Sequence, residues 1–173
     1  MLFLFLVVLA VGTVFLLQNR LSSQARYDTY NFYGTELAFR GDLRSAQNIS
    51  VYPNETAVFG AVWNPYRQHV TIAFINSTYN NITAVGATEI TLKLKTAYLK
   101  FDWDVGFTGR EVNSYDNLKG DDFDLVIALI PPSVANQTGV EVKNNVIYIQ
   151  GKTFEDFDKA TLKFIMAALN ITV

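Results

Sequence analysis

Residues 125–130 have the sequence LVIALI, an uninterrupted apolar run between Asp124 and the pair Pro131-Pro132. A short apolar run bounded in this way is typical of a buried strand. Because it contains no polar residue that could face water, we expect other parts of the chain to cover both of its faces. The run therefore predicts a sheet with a fully buried strand.

A hairpin is predicted after this strand. Residues 140–143 and 146–149 are two short runs rich in valine and isoleucine, and they flank the pair Asn144-Asn145. Asparagine tolerates positive φ angles, so this pair predicts a tight two-residue turn.

A helix is predicted after the hairpin. Thr153 is suited to cap its first turn, and Glu155 and Asp156 would complement the positive end of the helix dipole. The residues of one face then recur at helical spacing: Phe157, Ala160, Thr161, Phe164 and Ala168. We expect this face to lie on the sheet.

Residues 87–101 predict a second helix. Residues at helical spacing form one apolar face: Ala87, Ile90, Leu94, Ala97 and Phe101. Together with the Glu, Lys and Leu content, this spacing favours a helix of about fifteen residues. Apolar and polar residues also alternate over residues 90–95, so a strand is the alternative.

Short runs rich in valine, phenylalanine and isoleucine come before this helix and are separated by turn residues. They cover residues 36–40, 49–52, 56–63 and 69–75. We interpret them as an antiparallel meander with residues 69–75 as a central strand, and residues 103–107 as a further, half-buried strand. The predicted fold class is α+β, with a small mixed β-sheet covered on one side by about two helices.

The first seventeen residues, MLFLFLVVLAVGTVFLL, contain no charge. At about 1.5 Å per residue, a helix over residues 1–20 just crosses a hydrocarbon core of about 30 Å. The sequence therefore predicts an N-terminal transmembrane helix with the lipid bilayer as its partner, a juxtamembrane linker over 21–35 and an extracytoplasmic domain over 36–173. A cleaved signal is the alternative, because Ser23-Gln24-Ala25 has small residues at suitable offsets.

Two sequence features give opposite indications of orientation. Arg20 and Arg26 follow the apolar run and favour a cytoplasmic C-terminal side. Six Asn-x-Ser/Thr sequons favour an extracellular one, and chance would give roughly two. Their asparagines are the predicted glycosylation sites: Asn48, Asn54, Asn76, Asn81, Asn136 and Asn170. We expect a single-pass membrane protein with the domain outside the cell, although abundant turn-forming Asn and Thr are the alternative explanation.

The composition excludes several classes of site. The chain has no cysteine, which removes disulfides, thiolate zinc sites and cysteine nucleophiles. Its net charge of −2, without a Lys/Arg cluster, argues against a nucleic-acid partner. No motif predicts a cofactor or metal.

Two segments, residues 145–163 (NVIYIQGKTFEDFDKATLK) and 30–40 (YNFYGTELAFR), resemble uncharacterised, N-terminally anchored surface proteins of archaea. The resemblance covers about a third of the chain. It implies a surface location and a strand–helix fold and transfers no catalytic residue.

Three short motifs resemble catalytic or metal sites only in part. Gly151-Lys152-Thr153 lacks the earlier glycine of a phosphate-binding loop and is interpreted as a capped turn. Asp121, Asp122 and Asp124 lack calcium-loop spacing and are interpreted as a solvated turn. His69 is the only histidine, and Ser77, Ser114 and Ser133 do not lie in a nucleophile-elbow context.

Three functional classes remain. We expect a non-enzymatic surface module that binds a protein or glycan partner or contributes to the cell envelope. The alternative is a pilin-like filament subunit that self-assembles through its apolar helix. A lesser alternative is an extracytoplasmic hydrolase whose carboxylates would come from Glu89, Asp102, Asp104 and Glu111.

Overall fold

The structure is a computed structural model that describes residues 28–76 and 80–173. The strands are β1 (Asp28–Phe32), β2 (Thr35–Phe39), β3 (Val51–Tyr52), β4 (His69–Phe74), β5 (Gly106–Glu111), β6 (Asp124–Ile130), β7 (Gly139–Lys143) and β8 (Val146–Gln150). The helices are α1 (Leu43–Ala46), α2 (Glu55–Val62), α3 (Asn80–Lys100) and α4 (Phe154–Leu169).

Six strands form one mixed sheet in the order β3-β7-β8-β6-β4-β5, and β1 and β2 form a separate antiparallel pair. Strands β8, β6, β4 and β5 are parallel, whereas β7 runs antiparallel to β8 and parallel to β3. The predicted antiparallel meander is therefore wrong. The long helix α3 separates β4 from β5, and a helical connection of this length returns the chain in the same direction.

Strand β6 is buried on both faces, as residues 125–130 predict. Leu125, Ile127 and Leu129 lie in the main core with the helices. Val126 and Ala128 point to the opposite face, where Leu118 of the β5–β6 connection packs with them. The helices therefore cover one face of the sheet, and this connection covers part of the other.

The predicted hairpin and both predicted helices are confirmed. Asn144 and Asn145 have φ angles of 54° and 57° between β7 and β8. Thr153 caps α4, with its side chain accepting a hydrogen bond from the backbone N–H of Asp156 at 3.1 Å. Helix α3 contains residues 90–95, so the alternative strand there is wrong.

Residues 56–63, predicted as a strand, instead lie in helix α2 and at its C-terminal end. The side chain of Asn54 accepts from the N–H of Ala57 at 2.9 Å and caps the first turn. Val58 and Val62, four residues apart, are fully buried. Burial of this stripe and the cap outweigh the strand propensity of valine and phenylalanine.

The predicted fold class is correct in its α+β sheet but wrong in its helices. Within the described residues the chain has four helices rather than about two, because residues 43–46 and 55–62 are helical. Within residues 28–76 and 80–173, no helix is long and apolar enough to cross a membrane, and α3 carries several lysines. The predicted transmembrane helix over residues 1–20 lies outside the described residues.

The ends of several predicted segments also differ from the structure. The helix predicted over residues 87–101 begins at Asn80 and has 21 residues rather than about fifteen. Asp28–Phe32, assigned to a linker, forms β1, and Phe32 is buried in the main core. Strand β5 begins at Gly106, so Trp103 precedes it.

Candidate functional site

An aromatic pocket of about 380 Å³ lies at one corner of the domain. Six aromatic residues line it: Phe32, Tyr33, Phe59, Trp63, Phe101 and Trp103. Leu169 and Asn170 complete the wall. Its volume is at the lower end of the range for small-molecule sites. We call this set of residues the aromatic pocket.

The pocket forms where four structural elements end. Trp63 follows α2, and Phe101 follows α3. Asn170 follows α4 in a left-handed conformation, with φ 53° and ψ 42°. Tyr33, with φ 48°, lies in the turn that joins β1 to β2. The C-terminal ends of three helices and one hairpin turn therefore meet here.

Trp63 lies at the centre of the aromatic cluster. Its ring centroid is 5.5 Å from that of Phe101 and 5.7 Å from that of Trp103. Its indole N–H donates to the carbonyl of Ala168 at 2.7 Å, which ties the end of α2 to the end of α4. Rings at these separations stabilise one another in addition to the area they bury.

Tyr98 is buried next to the aromatic pocket and contacts two of its lining residues, Trp63 and Trp103. Its ring is fully buried, stacks on Trp103 at 6.0 Å, and its hydroxyl donates to the carbonyl of Val62 at 2.7 Å. Burial raises the pKa of Tyr98 well above its ordinary value, although Arg67 acts in the opposite direction. The hydroxyl therefore stays neutral and remains a donor that holds the end of α2.

Part of the aromatic surface is open to solvent. Tyr33 is 69% exposed, Phe101 43% and Phe59 41%. No acidic or basic side chain is among the residues that line the pocket in the described part of the chain. The helix C-termini give this corner a partial negative charge, and the carbonyls of Val62 and Ala168 there already accept hydrogen bonds from Tyr98 and Trp63. Such a site suits an uncharged ligand that has apolar faces and hydroxyl donors.

The six predicted glycosylation sites share an exposed position. Their side chains lie at the surface: Asn48, Asn54, Asn76, Asn81, Asn136 and Asn170. Most lie in turns, in loops or at helix ends, but Asn81 lies within the first turn of α3. Its sequon partner Thr83 is buried, so this sequon is the least accessible of those whose hydroxyl residue is described.

The structure does not bring together the four carboxylates proposed for a hydrolase. Glu89 lies on α3 and pairs with Lys93 at 3.5 Å. Asp104 precedes β5 and pairs with Lys95 at 3.1 Å, whereas Glu111 is at the other end of that strand. Asp102 is exposed in the turn after α3.

The other candidate motifs have structural roles. A Cβ atom at Gly151 would meet the backbone N of Phe157 at 2.2 Å, so packing explains this glycine. The carboxylate of Asp121 accepts from the N–H groups of Asp124 and Phe123, which lowers its pKa and closes a turn. No metal-binding cluster of His, Asp or Glu side chains occurs among the described residues.

The serine and histidine candidates do not form a triad. His69 is exposed, with its Nδ1 3.0 Å from the carbonyl oxygen of Gln68. Ser114 pairs with Asp116 at 2.7 Å, and Ser133 is exposed in the β6–β7 loop. Ser77 lies outside the described residues.

Sequence reasoning missed the aromatic pocket. Trp63 and Trp103 were assigned to strands, and Tyr33 to a linker beside the membrane. The available signal is a concentration of aromatic residues next to helix ends, but these residues are spread along the chain from Phe32 to Trp103, which hides their proximity.

No protein-family model, curated protein or solved structure matches this chain. The resemblance to archaeal surface proteins therefore remains a prediction.

Proposed function

We propose that this protein is an exported, N-glycosylated surface domain that acts by binding rather than by catalysis. The exposure of all six sequon asparagines supports this proposal most strongly. A glycan cannot be packed into a core, so buried sequon asparagines would have argued against the proposal.

The aromatic pocket supplies the binding surface in this proposal, and its ligand is an uncharged saccharide. Sugar rings have apolar C–H faces that pack on aromatic rings and hydroxyl groups that donate to carbonyl oxygens. The exposed rings of Tyr33, Phe59 and Phe101 offer a surface for the apolar faces. The partial negative charge at the ends of three helices favours the hydroxyl donors.

The arrangement of the carboxylates supports a non-catalytic role. A glycosidase needs two carboxyl groups on either side of one bond. Glu89 and Asp104 each pair with a lysine, and Glu111 lies at the opposite end of β5 from Asp104. The filament-subunit alternative depends on residues 1–20, which lie outside the described part of the chain.

Surface labelling of intact cells tests the location. A membrane-impermeant, amine-reactive biotin reagent should label lysines such as Lys100 and Lys119, which are exposed in the structure. An abundant cytoplasmic protein serves as the control. Labelling that appears only after the cells are lysed would contradict the proposed location.

A further inference from the structure

Asn170 lies at the junction of several surface depressions. It lines the aromatic pocket and two neighbouring grooves of about 230 and 290 Å³. A group attached to its side-chain amide would therefore begin at the mouth of the aromatic pocket.

The backbone fixes this attachment point. The N–H of Asn170 donates to Ala167 and that of Ile171 to Met166, so the end of α4 is closed by its own carbonyls. Ile171 is buried, which anchors the chain on the far side of Asn170.

The side chains of the sequon are accessible. Asn170 and Thr172 are both exposed, and no hydrogen bond to another described residue holds the Asn170 amide. By contrast, the Asn54 side chain is engaged in the cap of α2. The left-handed cap explains an asparagine at position 170, but it makes no demand for threonine at position 172.

The pocket also matches the chemistry of a neutral sugar. An anion would face the negative ends of three helices, and no basic side chain among the lining residues would offset this repulsion. A neutral sugar carries no net charge, and its hydroxyl groups are donors that the partial negative charge at these helix ends favours.

We propose that the N-linked glycan of Asn170 folds back so that its first sugars lie in the aromatic pocket. This inference rests on the proposed glycosylation of the domain. The saccharide bound by the pocket is then part of the same molecule, and it covers an aromatic surface that would otherwise be open to solvent.

The two tryptophans of the chain allow a direct test. The sequence contains only Trp63 and Trp103, and both line the pocket. Quenching of tryptophan fluorescence by acrylamide therefore reports on access to this site. Protein should be made in the natural source, or in a host with the same glycosylation, as wild type and as three variants.

The variants distinguish the effect of losing the Asn170 glycan from the effect of changing a side chain. Thr172→Ala removes the sequon but keeps Asn170, and Thr172→Ser keeps the sequon. Asn136→Gln removes a sequon at a position that lines none of these depressions. We expect the quenching constant to rise about two-fold in Thr172→Ala alone, because a ligand in such a site loses most of its exposed surface. Circular dichroism checks that each variant is folded.

Glycopeptide mass spectrometry of the same samples completes the test. If Asn170 carries a glycan and Thr172→Ala shows unchanged quenching, the glycan lies outside the pocket and the inference is wrong. An unmodified Asn170 beside other modified sequons also contradicts the inference, but it leaves the proposed function intact. If all six sites are unmodified, both proposals fail. If unglycosylated Thr172→Ala is protected by an added free oligosaccharide while the Asn170 glycan gives no protection, the pocket serves an external saccharide instead.

Discussion

The aromatic pocket and a second depression, the threonine groove, have nearly equal volumes of about 380 and about 370 Å³. The threonine groove lies between α3 and strands β4 and β5, and Thr88, Thr91 and Thr108 are among its lining residues. One helix and two neighbouring strands form it, whereas four separate element ends form the aromatic pocket. Volume alone therefore does not distinguish a binding site, and the chemistry of the lining residues has to decide.

The largest expected difference between the two depressions is in stability. Trp63→Ala removes the central ring of the cluster and the hydrogen bond to Ala168, so we expect a loss of about 3 kcal/mol in the free energy of unfolding. Leu92→Ala in the threonine groove is the control. Leu92 is 56% exposed, and its loss should cost no more than about 0.5 kcal/mol. Urea unfolding measures both, and equal losses would contradict the structural role given to Trp63.

A second, smaller effect concerns Tyr98, which supports the aromatic pocket. Tyr98→Phe removes the hydrogen bond to Val62 and should cost about 1 kcal/mol at neutral pH.

This cost should depend on pH. Burial raises the pKa of Tyr98 above its ordinary value of 10.0, so above that pH the folded protein keeps a proton that the unfolded chain releases. The stability that Tyr98 contributes is complete below pH 10.0 and is lost as the pH rises further. The difference between wild type and Tyr98→Phe should therefore narrow in alkaline solution. A difference that stays constant or widens in urea titrations up to about pH 11 would contradict the burial of this hydroxyl.

The expected loss in the free energy of unfolding is smaller still at the rim of the aromatic pocket. Tyr33 makes edge-to-face contacts with Phe32 at 5.0 Å and Phe101 at 5.2 Å, but it is 69% exposed. We expect Tyr33→Ala to cost at most about 1 kcal/mol. Tyr66 is similarly exposed and has a longer ring contact of 6.5 Å, so Tyr66→Ala should cost less. If Tyr66→Ala lowers the thermal unfolding temperature more than Tyr33→Ala does, the ring contacts of Tyr33 do not stabilise the rim of the pocket.

The smallest expected effect is a difference in glycan occupancy between two sequons, those of Asn81 and Asn136. Thr83 is buried in α3, so an enzyme that acts on the folded domain reaches this sequon poorly. Asn136 lies in the β6–β7 loop, and Thr138 is half-buried. We expect lower glycan occupancy at Asn81 than at Asn136. The opposite order in site-resolved glycopeptide analysis would show that modification does not depend on the accessibility seen in the folded domain.

Much of the fold could be predicted from local sequence patterns. The apolar run at 125–130, the Asn144-Asn145 turn and the Thr153 cap each depend on residues that are adjacent in the chain. Residues 56–63 are predicted as a strand because their valines and phenylalanine favour strands, although the sequence also contains the cap at Asn54 and the helical spacing of Val58 and Val62.

The order of the strands and the aromatic pocket could not be predicted in this way. Strand β6 pairs with β4 although β5 lies between them in the sequence. Tyr33, Trp63, Trp103 and Asn170 come from distant parts of the chain and meet only because three helices end at the same corner. Such proximity depends on how whole elements pack together rather than on any local pattern of residues.

The central claim is that this domain is exported and carries glycans on its exposed sequons. Site-resolved glycopeptide mass spectrometry of the protein purified from its natural source tests it most directly. We predict glycans on several of the six sequon asparagines, with Asn170 among them. Six unmodified asparagines at full peptide coverage would contradict the account.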